Sequence, residues 1–265
     1  MIAIQGVRRS RRTPAILLVA VAGAWVLSVI AQTTGRAALL NHGSLIEGSA
    51  LRPPPPLWLA LPLFLVAWQV MVVAMMLPSS LPMMRVFRVA AARQPRPGAV
   101  RAAFLGGYLL VWGAFGAAAF VQDIGIHRFV ERTPWVETHP WVIAGLALML
   151  AGAFQFSSLK DKCLRECRHP AAFLIQHYRR GVGEGFKLGF RHGLFCLGCC
   201  WALMLVMFAA GVAQLWWMAA LGALMFYEKT GRHGDRVTPV AGVALLVLAA
   251  LVFLHRGWLP NVFHQ

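Results

Sequence analysis

Apolar residues gather into seven long runs along this chain: 15–32, 57–77, 102–122, 141–157, 193–212, 214–228 and 239–254. Each is about 15–21 residues long, and a helix needs roughly 20, with about 17 as a lower limit, to cross the hydrocarbon of a bilayer. The pattern predicts an all-α fold: a polytopic transmembrane helical bundle of about seven helices, forming one transmembrane domain over residues 1–265. Runs 214–228 and 239–254 are the shortest candidates for spans.

The polar segments between the runs carry a charge pattern of their own. With a cytoplasmic N-terminus, twenty of the 25 basic residues fall on the inner side. They are Arg8, Arg9, Arg11 and Arg12, five arginines from Arg85 to Arg101, eight Lys/Arg from Lys160 to Arg191, and Lys229, Arg232 and Arg236. Only Arg36, Arg52, Arg128, Arg132 and Arg256 fall outside. Lys and Arg concentrate in cytoplasmic loops, so the split predicts a cytoplasmic N-terminus and a multi-pass protein of the bacterial cytoplasmic (inner) membrane. Arg8–Arg12 also suit the basic start of a signal peptide. No convincing small-residue cleavage site follows, and the first run is expected to remain as an anchor.

Composition agrees with a membrane protein. Hydrophobic residues make up 59% of the 265, charged residues 13%, and mean hydropathy is +0.65; a soluble domain carries roughly 25% charged residues. A net charge of +16 would suggest nucleic acid in a soluble chain. Here the basic residues sit between apolar runs, without the interleaved aromatic platforms of a nucleic-acid groove. The lipid bilayer is the expected partner, and nucleic acid is not.

The outer loops are plain. Pro53–Pro56 form a stiff, extended entry to the second run, and His42 has no ligand-type neighbour in sequence. His127 and His139 flank Asp123, Glu131 and Glu137, which read more readily as a solvated loop than as an outer metal site.

The chemistry gathers on the inner side. All five cysteines, Cys163, Cys167, Cys196, Cys199 and Cys200, fall there or just within the membrane. The cytoplasm is reducing, so free thiols suited to metal, redox chemistry or packing are expected rather than structural disulfides. Ser158 with Asp161 reads as a capping box, and Pro170 ends the helix near His169. That short helix puts Cys163 and Cys167 on one face at i and i+4, where two thiolates can share a soft metal ion. Cys199 and Cys200 lie about −60° and +40° around a helix from Cys196, so these three also share a face. The packing alternative rests on Gly181, Gly185, Gly189 and Gly193, a stripe that Cys196 and Cys200 continue; small residues at this spacing let membrane helices approach closely.

Five of the eleven methionines fall between Met71 and Met84. Thioethers suit Cu(I), and Met75 and Met76 are the candidate ligands, although methionine is also a common gap-filler. Pro78 and Pro82 interrupt backbone bonding there. Gln155 closes the fourth run, and Glu228 and Lys229 close the sixth.

Ala74-Met-Met-Leu-Pro-Ser-Ser-Leu-Pro82, Gln155 with Leu159-Lys160, Cys163-Leu-Arg-Glu-Cys167-Arg-His-Pro170, Cys196-Leu-Gly-Cys-Cys-Trp-Ala-Leu-Met204 and Glu228-Lys229 together resemble the bacterial family called predicted metal-binding integral membrane proteins. The resemblance covers about residues 60–230, and Gly-Cys-Cys-Trp is its most specific part. That family carries a domain of unknown function, so the resemblance implies the fold and a metal-binding residue set rather than an activity.

The leading expectation is a metal-handling membrane protein that binds copper(I), with zinc as second choice, through Cys163, Cys167, Cys196, Cys199, Cys200, Met75 and Met76. Helix centres poor in ionisable groups favour an accessory or relay protein serving a membrane complex or a metal-delivery partner over an ion pump. No catalytic residues are assigned. Two other classes stand beside it: a thiol or cofactor oxidoreductase using the Cys196-x-x-Cys199 pair, and a structural subunit without chemistry of its own. His177, His192 and His233 are expected in inner loops or at helix ends, which offers no intramembrane haem ligation.

Seven spans with an inner N-terminus place the C-terminus outside. A reporter fused after Gln265 should be active in the periplasm; cytoplasmic activity would require an even number of spans.

Overall fold

A computed structural model describes residues 15–34, 56–139, 141–210 and 215–255. Arg8–Arg12, Arg36, His42, Arg52, Pro53–Pro55, Arg256 and Gln265 lie outside the described residues. Among the described residues the secondary structure is helical throughout, in eleven helices. They are α1 (Ala15–Thr33), α2 (Leu57–Met75), α3 (Leu77–Ala91), α4 (Pro97–Glu131), α5 (Pro134–Glu137), α6 (Trp141–Phe154), α7 (Ser158–Arg168), α8 (Pro170–His177), α9 (Val182–Ala210), α10 (Leu215–Thr230) and α11 (Gly234–Leu254).

The fold is an all-α polytopic helical bundle. Among the described residues five helices, α1, α2, α4, α9 and α11, are long and apolar enough to cross a membrane. A sixth results if α6 and α7, bent by 65° at their junction, count as one broken span. The 214–228 run becomes α10, only 16 residues long, whereas 239–254 lengthens to the 21 residues of α11. Large apolar side chains such as Ile16, Val19, Trp58, Val66, Trp216 and Val240 are exposed, as contact with lipid requires.

Prolines set several boundaries. The Met76 N–H still bonds Val72 O at 2.8 Å, but Pro78 has no N–H to offer, so α2 gives way to α3 there. Pro97 and Pro170 open α4 and α8 in the first helical turn, where the missing donor costs nothing. The start of α7 differs from the expected Ser158–Asp161 box: Ser157 is the cap, and its hydroxyl accepts the Lys160 N–H at 3.1 Å.

The glycine stripe packs α9 against α4. A Cβ at Gly185 would meet Val100 O at 2.8 Å, one at Gly189 would overlap Phe104 O, and one at Gly193 would stand 3.0 Å from Val111. Gly107 answers from α4, with Phe190 N 2.7 Å from where its Cβ would be. Gly181 departs from the stripe: it precedes α9 and holds φ +115°, a conformation that glycine adopts without steric cost. Its N–H donates to Gln94 Oε1 at 2.8 Å, which ties the turn to the end of α3.

Two hydrophobic cores result. The larger joins α1, α2, α4, α6, α7, α9, α10 and α11; the smaller joins Leu77, Met84, Phe87, Phe104, Phe173 and Leu188, from α3, α4, α8 and α9. Fourteen residues of α9 precede Cys196 and fourteen follow it, about 20 Å of helix either way. The boundary between the two cores falls at this level.

Gly189→Ala forces α4 and α9 apart and should destabilise the protein by roughly 1–3 kcal/mol, as overpacking does. Gly106→Ala, with nothing within 4 Å of its added Cβ, should be neutral or slightly stabilising. Thermal unfolding in detergent reads the difference, and equal effects would mean that the stripe does not set the helix separation.

Candidate functional site

The cysteines come from two helices. On α9, Cys196, Cys199 and Cys200 are buried on one face, and the thiols of Cys199 and Cys200 donate back to Cys196 O at 3.1 and 2.8 Å. Cys163 and Cys167 share the buried face of α7, which lies against α9. A Cβ at Gly198 would come within 2.6 Å of Cys163 Sγ, and the Cys167 and Cys199 thiols are in hydrogen-bonding reach of each other. All five thiols are free.

The methionines separate. Cys200 Sγ donates to Met76 Sδ at 3.7 Å, so the break between α2 and α3 brings one thioether to the thiols. Met75 turns to α10, where a Cβ at Gly222 would meet it at 3.7 Å. Among the described residues no group of three or more His, Cys, Asp or Glu side chains is arranged to hold a metal ion.

Polar groups that a reading of segments one by one leaves scattered meet here. Lys229, in the last turn of α10, is 6% exposed. Its ammonium donates to Cys196 Sγ at 3.1 Å, Ser79 Oγ at 3.3 Å and Cys200 Sγ at 3.9 Å. The Tyr108 hydroxyl lies 3.3 Å from Cys196 Sγ and accepts from Ser80 Oγ at 3.2 Å. Beside them Lys160, fully buried, pairs with Glu228 at 2.8 Å. Arg168 bonds Glu228 O through Nε at 2.7 Å and pairs with Asp235. These contacts hold the polar α7 against the bundle.

His192 corrects an expectation. It lies within α9, one turn before Cys196, is buried, and stacks on Phe104 and Tyr108 at 6.0 and 5.7 Å between ring centroids. The segment before 193 is rich in glycine and charge and reads as a loop, yet α9 starts at Val182. The i, i+4 spacing from His192 to Cys196 was the available clue. Ser79, Ser80 and Tyr108 left no comparable mark in the sequence.

Gln155 sits at the α6–α7 bend, buried, and neither amide atom has a partner among the described residues. It borders a cavity of about 450 Å³ that Asp161, Arg165, Arg168 and Asp235 also line. Gln69 lies inside α2 and donates to Leu109 O at 2.8 Å. Near the end of α4, Asp123 and His127 stand with 3.4 Å between Oδ2 and Nδ1, and beyond it His139 stacks on Trp135.

Residues 65–252 match the PpoB2 family, described as copper chaperone. No curated protein and no solved structure matches the chain.

Removing one partner of a buried ion pair strands the other, at about 3–5 kcal/mol. Lys160→Met and Glu228→Leu should each lose about that much stability, and the double substitution should recover most of it. Denaturant titration of the three variants checks this; additive losses would show that the pair is not coupled.

Proposed function

Because this chain belongs to the PpoB2 family of copper chaperones, we propose that it is an accessory membrane protein carrying copper as cargo, in the Cu(I) state, on Cys196, Cys200 and Met76. The observation behind this reading is the Cys200–Met76 contact of 3.7 Å: a thiol and a thioether meet in a buried place that also holds a second thiol. Soft sulfur ligands select Cu(I). Two thiolates and a thioether form a sufficient donor set for that ion, whereas a structural zinc site calls for four nitrogen or sulfur ligands in a tetrahedron.

Cys199, Cys167 and Cys163 then continue the sulfur path from α9 to α7, where the ion is taken up or handed on to a partner protein. Met75 is the lesser candidate because it turns toward Gly222. The positive-inside distribution of Lys and Arg supports an inner-membrane location with this path on the cytoplasmic side. Lys229 fits the same reading: it lies in the last turn of α10, just before Arg232 and Arg236, which the charge distribution assigns to the inner side.

Affinity for Cu(I), measured by chelator competition on the protein in detergent, tests the reading. Thiols must lose protons to bind, so affinity should fall as pH falls. The Cys196→Ser, Cys199→Ser, Cys200→Ser triple variant should lose tight binding. Met76→Leu should weaken binding by roughly tenfold, about 1.4 kcal/mol, and Met75→Leu should leave it near the wild-type value. A triple variant that binds like the wild type would make the cysteines packing residues on the glycine stripe and the chain a structural subunit.

A further inference from the structure

We infer that Lys229 determines the specificity of the sulfur site by selecting a monovalent soft cation over a divalent one. The inference rests on the proposed site at Cys196 and Cys200 and adds its charge rule.

Lys160 and Glu228 lie 2.8 Å apart, out of solvent, and cancel each other. Lys229 is the surplus. The hydrogen-bond partners of its ammonium are Cys196 Sγ, Ser79 Oγ and Cys200 Sγ, and none is a carboxylate. An unbalanced charge in an apolar interior is costly. Two thiolates around one monovalent cation carry a charge of −1, and Lys229 brings the assembly to neutrality. The same two thiolates around a divalent cation are already neutral, and Lys229 then stays buried as an uncompensated +1. Ligand softness separates Cu(I) from hard ions but does not separate it from soft divalent ions such as Cd(II). The lysine supplies that second discrimination.

The geometry suits this part better than direct ligation. Ser79 holds the ammonium from α3 while Cys196 and Cys200 face it from α9. The charge therefore stands beside the two sulfurs from a third helix, α10. The ammonium remains next to the bound ion as its counter-charge and needs no conformational exchange. The Tyr108 hydroxyl, 3.3 Å from Cys196 Sγ, can donate to the same thiolate.

Ag(I) and Cd(II) are the probes, because both are soft and they differ in charge. Dissociation constants for each are measured by competition on the purified full-length protein in detergent, for the wild type, Lys229→Met, Lys229→Gln and Lys229→Arg. The wild type should prefer Ag(I). The two neutral variants should shift the Ag(I)-to-Cd(II) affinity ratio toward Cd(II) by roughly tenfold or more, a change of about 1.4 kcal/mol. Lys229→Arg, which keeps the charge, should retain the wild-type ratio, whereas a role in packing alone would lower both affinities together. A wild type that takes Cd(II) as tightly as Ag(I) overturns the inference without recourse to any variant, and so does an unchanged ratio in a folded neutral variant. Loss of Ag(I) and Cu(I) binding altogether in the wild type would instead overturn the proposed site, and this inference with it.

Discussion

A lysine and a glutamate meet out of reach of solvent in this bundle, and the placement of the polar helices depends on them. Lys160 and Glu228 stand 2.8 Å apart. Neither is stable there alone, because an isolated buried charge costs several kcal/mol. The pair therefore requires α7 to lie on α10, and Arg168 completes the attachment through Glu228 O and Asp235. The pair acts together with an apolar contact, because Cys163 of α7 packs closely on Gly198 of α9.

A second constraint acts between α4 and α9. Glycines on α9 and α4 let two long helices cross nearly backbone to backbone. That contact sets which residues of α4 and α9 share a level, and it brings Tyr108 to Cys196. The break at Met76 then determines which methionine joins them. The helical interruption that Pro78 imposes is tolerable in a membrane protein because the freed backbone faces protein.

The two readings of the cysteines, packing and chemistry, meet in the same residues. Gly185, Gly189 and Gly193 pack helices, as small residues in membranes do, and the stripe ends where the cysteines begin. Cys196 and Cys200 carry the stripe into a region where the neighbours change from backbone to an ammonium, a hydroxyl and a thioether. Packing fixes where these sulfurs stand, and the polar neighbours surround them with what a thiolate needs. In the proposed reading, the family's copper finds there a site preset by helix contacts rather than by a flexible loop.

The sequence by itself determined the class of the protein, because long apolar runs have few outlets other than helices in lipid. It also marked the sulfur-bearing side chains and the Glu228-Lys229 pair as unusual, since helical spacing alone puts Cys196, Cys199 and Cys200 on one face. It misjudged α9, whose glycine- and charge-rich first half resembles a loop until α4 and α8 cover it, and His192 was misplaced for that reason. It could not separate Met75 from Met76, because adjacent residues differ by only about 100° around a helix and the neighbouring helix selects between them. Only the tertiary structure made Lys229 the centre of the site and Lys160 its neighbour. Their importance comes from partners 33 and 68 residues away in the chain, and no local pattern encodes a charge balance struck between three helices.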